Sequence, residues 1–201
     1  MDQQKAIEDV ALIKRMMEES RQFTFDNGKS YIFWGILVTV GIFVTYGAVL
    51  TGNGDISGWI WIITIGIGWL FSILAGMKEH TKTRTWAFGG KLVGLIWASC
   101  GITMTILGFA APLAGALHSW AISPAIATVM GAAYTMSSLV YRLKWVTMVG
   151  IAWWVGALAM FAVKGLVTLP IFGSMMILFQ IIPGLVFYRN SKKSNASGDT
   201  K

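Results

Sequence analysis

Six long apolar stretches lie between Tyr31 and Tyr188, and polar residues are concentrated at the two ends of the chain and between these stretches. A helix of about 20 residues is long enough to cross the hydrocarbon core of a bilayer, which is about 30 Å thick. The pattern therefore predicts an all-α, polytopic membrane protein with six transmembrane helices. The predicted spans are residues 31–50, 59–76, 92–111, 120–141, 145–163 and 166–188.

The connections between the predicted spans are short, and the fifth is only the pair Lys164–Gly165. Helices joined by so few residues must run antiparallel to each other. The six spans therefore group as three antiparallel hairpins. The second and third hairpins end alike, in Val-Tyr-Arg at 140–142 and Phe-Tyr-Arg at 187–189, which leaves open whether the hairpins are true repeats.

Basic residues are distributed very unevenly between the two sides of the predicted bundle. Of the 16 lysines and arginines, only Lys164 lies in the first, third or fifth connection. Because lysine and arginine are retained on the cytoplasmic side, both termini are predicted to be cytoplasmic. The expected domains are a cytoplasmic segment at 1–30, the bundle at 31–188 and a basic, disordered tail at 189–201. Short loops and a compact design favour the bacterial cytoplasmic membrane as the location.

The composition agrees with a membrane protein and changes how the net charge is interpreted. Apolar residues make up 55% of the chain and charged residues only 12%, about half the usual share of a soluble domain. The formal charge of +7 follows from membrane topology, so the expected partner is the lipid bilayer and nucleic acid is not expected.

The first 21 residues form an amphipathic pattern. Ala6, Val10, Ile13 and Met17 recur at helical spacing, and Ile7 widens the apolar stripe. Three uses of this stripe are open: packing on the chain's own cytoplasmic loops, adhesion to the membrane surface, or contact with another protein or a second copy. The candidate docking residues for a partner are Ile7, Val10, Ile13 and Met17.

The predicted spans contain no Asp, Glu, Lys, Arg or His. Ionisable groups within a membrane usually mark proton relays or ion sites, and acid–base catalysis depends on them. The single cysteine, Cys100, excludes a disulfide or a cysteine zinc site within one chain. We therefore predict no enzyme activity, no catalytic or metal-binding residues and no cofactor.

Small residues form stripes on two of the spans. Such stripes allow helix backbones to approach closely, and lining of a pore is the alternative use. The candidate packing residues are Ser123, Ala127, Gly131 and Thr135 on the fourth span, and Gly68, Ser72 and Gly76 on the second.

One amide lies inside the sixth span, where Gln180 precedes Pro183 and Gly184. An amide in lipid needs a hydrogen-bond partner, and a proline frees a backbone carbonyl of its helix. The pattern indicates either an interhelical hydrogen bond across a kink or a pore lining or hinge. The deep tryptophans, which are Trp69, Trp97, Trp153 and Trp154, would either fill volume or hold a flat ligand.

These observations favour an accessory or interaction subunit of a membrane complex without a catalytic site. The alternative is a channel, a facilitator or a transporter subunit for a small neutral solute. The two hypotheses differ in the interior of the bundle. An accessory protein should have filled helix seams, whereas a facilitator should have Gln180 and the small-residue stripes facing a shared hollow.

Overall fold

The computed structural model describes residues 7–8, 10–12, 14, 28–82 and 88–198, with backbone only at 78–82, 88–91, 191 and 193–198. These residues are almost entirely helical and include no strand. The long helices are α1 Gly28–Leu50, α2 Ser57–Lys82, α3 Phe88–Thr105, α4 Ser119–Tyr141, α5 Lys144–Val163 and α6 Thr168–Met176. Helix α3 continues through a π turn, Ile106–Ala110, to Ala111–Leu113, and α6 continues through a π turn, Ile177–Ile181, to Ile182–Gly198.

Each predicted span coincides with one of these six helices. Within the described ranges, five segments are long and apolar enough to cross a membrane, which indicates a membrane protein: Gly28–Leu50, Gly54–Met77, Leu92–Leu113, Lys144–Val163 and Thr168–Asn190. Helix α4 is as long as α1 but does not belong to this set. Its serines, threonines and proline lower its hydropathy, and many of them, such as Ser123, Pro124 and Ser137, are buried in the bundle.

Helix α4 occupies the centre of the bundle. It contacts α3, α5 and α6, and it carries more buried residues than any other helix in the described chain. Helix α1 packs along α6, whereas α2 packs mainly on α1. Aromatic and methionine side chains from the helices, including Tyr134, Trp153, Met160 and Phe187, form a continuous core.

The relative directions of the helices follow from which ends are in contact. Tyr31, near the start of α1, packs against Phe187, late in α6, so these two helices are antiparallel. Trp97, early in α3, packs against Tyr134, late in α4, so α3 and α4 are also antiparallel. One end of the bundle carries Lys29, Arg142, Lys144, Arg189 and Lys192, and we call it the basic end.

Consecutive helices are in contact as α1–α2, α3–α4 and α5–α6, but the most extensive contact is between α4 and α5. The reason is a close backbone approach at Gly150 of α5. A methyl group placed there would lie 2.9 Å from the Gly131 carbonyl oxygen and 3.1 Å from the Thr135 amide nitrogen. The second and third hairpins are therefore joined into one packed unit.

Glycines also allow α1 and α6 to touch through their backbones. A methyl group on Gly28 would lie 2.5 Å from the amide nitrogen of Tyr188. A methyl group on Gly184 would lie 2.9 Å from Cβ of Tyr31 and 3.0 Å from the amide nitrogen of Ile32. The seam between the first and last helices consequently depends on the absence of side chains at these glycines.

The turn between α5 and α6 contains a strained residue. Lys164 ends α5 with φ 51° and ψ 178°, a backbone conformation that is essentially restricted to glycine. Its ammonium group lies over the ring of Trp120, 5.5 Å from the ring centre. This cation–π contact links the turn to the start of α4.

We expect Lys164→Gly to be more stable than Lys164→Ala by about 1 kcal/mol, because both lose the cation–π contact and only glycine relieves the strain. Thermal unfolding in detergent measures the difference. Lys192, which lies in a helix, is the control, since there the alanine variant should be the more stable. If Lys164→Ala were as stable as Lys164→Gly, the backbone at Lys164 would not be strained.

Candidate functional site

The polar centre of the bundle is the side chain of Gln180, in the π turn of α6. It is only 3% exposed. Its Oε1 accepts a hydrogen bond of 2.5 Å from the hydroxyl of Tyr134 on α4, and its Nε2 donates to the carbonyl oxygen of Tyr31 on α1, at 3.5 Å. One amide therefore connects three helices and pairs with a tyrosine hydroxyl inside an apolar interior.

The π turn has a local cause in the sequence. Pro183 has no N–H, and its ring would collide with a carbonyl of the preceding turn in a regular α-helix. The wider turn at Ile177–Ile181 precedes the proline, and the N–H of Ile182 bonds to the carbonyl oxygen of Ile177. Gly184 follows and is covered by α1. The three residues proposed from sequence as a pore or hinge thus lie at the seam of α6 with α1.

Aromatic rings fill the space beside Gln180 towards the basic end. Tyr31, Trp97 and Tyr134 make mutual ring contacts, with centroid distances of 5.2, 5.4 and 6.0 Å. Phe187 packs on Tyr31 at 5.4 Å and on Tyr141 at 6.4 Å. Four of these five pairs meet edge to face, an arrangement that stabilises aromatic pairs beyond the area they bury.

Two small-residue positions receive tryptophan rings from a neighbouring helix. The indole of Trp34 on α1 lies against Gly68 of α2, and its Nε1 donates to the Ser72 hydroxyl at 3.0 Å. The indole of Trp154 on α5 lies against Gly131 of α4, and its Nε1 donates to the carbonyl oxygen of Thr128 at 3.0 Å.

The other candidate packing residues have different surroundings. Ser123 and Ala127 are buried, and Thr135 contacts the backbone of α5 at Gly150. Gly76 is different, because a methyl group placed there would have no heavy atom within 4 Å. The structure therefore brings most, but not all, of these residues to helix seams.

The remaining deep tryptophans also lie among other side chains. Trp153 is fully buried and makes ring contacts with Phe172 and Phe179 of α6, at 5.7 and 6.1 Å. The ring of Trp69 faces Gly101 of α3, 3.5 Å from where a methyl group would be.

Some buried polar atoms have no hydrogen-bond partner among the described residues. They include the hydroxyls of Thr45 and Ser137 and the indole N–H of Trp153. Ser137 and Trp153 are fully buried. Burying a donor without a hydrogen bond lowers the stability of the fold. These three atoms are therefore expected to cost stability.

The N-terminal apolar stripe is described only in part. Ile7 and Val10 lie in helical backbone and are 60% and 65% exposed, so most of each side chain is left uncovered by the residues that the structure describes. Ile13 and Met17 lie outside the described residues.

Sequence reasoning found Gln180 but missed Tyr134 and Tyr31, which pair with it. A signal was available, because a tyrosine hydroxyl inside an apolar span needs a partner as much as an amide does. The pairing itself depends on α4 and α1 both reaching α6, which sequence spacing does not reveal.

No group of three or more His, Cys, Asp or Glu side chains in the described part of the chain could hold a metal ion. No protein-family model matches the chain, and no similar curated protein or solved structure was found.

Proposed function

We propose that this protein is a six-span, non-catalytic subunit of a membrane complex in the bacterial cytoplasmic membrane, with its N-terminal helix as the contact for a protein partner. The observation that carries the proposal is the side-chain packing at the helix seams. Gln180 is bonded to Tyr134 and to the backbone at Tyr31, and tryptophan rings lie against Gly68 and Gly131. Helix seams occupied by side chains suit a scaffold better than a solute route.

The sixth span in this proposal is α4. It is antiparallel to α3 and packs along α5, and its 23 residues match the length that a bilayer requires. The placement of both termini in the cytoplasm rests on the basic end, which carries Lys29, Arg142 and Arg189. Lysine and arginine on that side obey the positive-inside rule.

The partner contact is assigned to the N-terminal stripe because its described apolar side chains are exposed. Ile7 and Val10 extend from the helix without covering by the bundle. Apolar side chains on a cytoplasmic helix are stabilised when another protein buries them. Glu8 lies on the opposite side of the same helix, at 100° per residue, and offers a matched comparison.

A photo-cross-linking residue at Val10 should give one adduct of defined mass in native membranes, and the same residue at Glu8 should give none. Ile7→Asp should abolish the Val10 adduct, because a charge in the stripe opposes its burial. Membrane insertion of each variant is the control. Equal cross-linking from Val10 and Glu8, or recovery of the protein alone from both, would contradict the proposal.

The solute facilitator is the second candidate, and the unpaired hydroxyls of Thr45 and Ser137 favour it. Buried polar groups without protein partners are what a polar permeant could use. Stopped-flow measurement of glycerol and urea uptake into proteoliposomes decides between the candidates. The subunit proposal expects uptake equal to that of protein-free liposomes, whereas faster uptake that falls in Ser137→Ala would establish the facilitator.

A further inference from the structure

Two short segments of the chain share three of seven residues at matching positions. Residues 106–112 read Ile-Leu-Gly-Phe-Ala-Ala-Pro, and residues 177–183 read Ile-Leu-Phe-Gln-Ile-Ile-Pro. Both begin with Ile-Leu, both have proline in the seventh position, and a methionine lies two residues before each, at Met104 and Met175.

The two copies adopt the same local structure. In each, the first five residues form a π turn, Ile106–Ala110 in α3 and Ile177–Ile181 in α6. The N–H of the sixth residue closes the turn on the carbonyl of the first, and the proline follows at once. A proline that cannot continue the α-helical ladder explains the wide turn in both cases.

The two copies run in opposite directions through the bundle. Trp97, early in α3, and Phe187, late in α6, both contact Tyr31 near the basic end. Each π turn also packs against the first helix of the other half of the chain, since that of α3 contacts α4 and that of α6 contacts α1. The two proline-containing helices α3 and α6 thus run antiparallel, as interrupted helices do in inverted repeats.

The two π turns differ in how firmly they are held. The turn in α6 carries Gln180, which is tied to both α4 and α1. The turn in α3 contains no buried residue, and a methyl group placed on Gly108 would meet only the end of Ile126, at 4.0 Å. The turn in α6 is therefore held by side-chain hydrogen bonds to two other helices, whereas the turn in α3 has no buried residue.

We propose that the two proline-terminated π turns are paired hinges of an inverted repeat, that the α3 hinge moves freely, and that the bond from Tyr134 to Gln180 locks the α6 hinge. The inference goes beyond the proposed role as a subunit, because it supplies the internal motion by which such a subunit can respond to a partner. The segment of α3 from Ile106 to Leu113 is an arm of about 10 Å, so a bend of about 20° moves its tip by about 3 to 4 Å.

Spin-label distances in the full chain, reconstituted in lipid nanodiscs, test this proposal. The single cysteine makes Cys100→Ala a background without other labels. Labels at Leu113 and Leu158 follow the α3 arm against α5, and labels at Val167 and Leu158 follow the start of α6 against the same reference. All three positions are exposed.

The Leu113–Leu158 distance should show a broad or double distribution, and the Val167–Leu158 distance should be narrow. Pro112→Ala should narrow the Leu113–Leu158 distribution, because alanine restores the backbone N–H and the helix can continue regularly. Gly108→Ala should stiffen the same turn, and there is room for the added methyl group. This variant tests the α3 hinge if Pro112→Ala folds poorly. Gln180→Leu should broaden the Val167–Leu158 distribution, because it removes the hydrogen bond from Tyr134 that locks the α6 hinge.

A narrow Leu113–Leu158 distance in the unmodified protein, or a broad one that neither Pro112→Ala nor Gly108→Ala changes, would overturn the α3 hinge. A Val167–Leu158 distance that stays narrow in Gln180→Leu would overturn the lock. Monodisperse elution of each variant shows that the distances refer to folded protein. None of these outcomes depends on whether a partner binds the N-terminal helix. The hinge can therefore be rejected without rejecting the proposed function, and the reverse is also true.

Discussion

Gly184→Leu is expected to lower the free energy of unfolding by about 3 kcal/mol, or to prevent the bundle from folding. The added side chain would meet Cβ of Tyr31 and the backbone of Ile32, at 2.9 and 3.0 Å from its own Cβ. These are rigid atoms of α1, so the two helices must separate to make room. The better helix propensity of leucine, worth less than about 1 kcal/mol, cannot offset this loss of contact.

Gly66→Leu is the matched control, because a Cβ on Gly66 would have no heavy atom within 4 Å. It should be neutral or slightly stabilising. Unfolding in detergent, followed by circular dichroism together with size-exclusion elution, measures both variants. If Gly184→Leu unfolded at the same temperature as Gly66→Leu, the close seam between α1 and α6 would be wrong.

Tyr134→Phe and Gln180→Leu should each destabilise the protein by about 1 to 2 kcal/mol, since each leaves a buried polar partner unpaired. The double variant should cost less than the sum of the two, with a coupling energy of about 1 kcal/mol, typical of a hydrogen bond between membrane helices. Thermal or denaturant unfolding of the four proteins in the cycle gives this coupling directly.

Thr103→Val provides the control for this cycle. The hydroxyl of Thr103 bonds to the Ser99 carbonyl oxygen of its own helix, so its loss removes no contact between helices. Its effect should add to that of Gln180→Leu without coupling. Full additivity of Tyr134→Phe with Gln180→Leu would mean that the observed bond does not stabilise the fold.

The positions of the helices could be predicted from the sequence, because a bilayer imposes one length on every spanning segment. The sequence predicts a helix at 120–141, and α4 is found at Ser119–Tyr141. The central position of α4 could not be predicted, because residues that face lipid and residues that face the core are both apolar in a membrane protein. The unusual number of small and hydroxyl-bearing residues in α4 was the only local sign of burial.

The candidate site was predictable in part. Gln180 stands out because an amide is rare among apolar residues, but its hydrogen-bond donor is the hydroxyl of Tyr134 and its acceptor is the carbonyl of Tyr31, which are distant in sequence. Likewise, loop lengths indicated which helices are neighbours, yet they did not indicate that α4 and α5 approach most closely. That contact depends on Gly150 lying against the backbone of α4, a property of three-dimensional register.

The seam between α1 and α6 joins the first long helix of the chain to the last. During synthesis α1 enters the bilayer long before α6 leaves the ribosome, because chains emerge at only about 5 to 20 residues per second. For that interval Gly28 and the carbonyl of Tyr31 face the bilayer or the insertion machinery without their final neighbour. Chains truncated before residue 168 never acquire it, which makes them natural substrates for the proteases that remove unassembled membrane proteins.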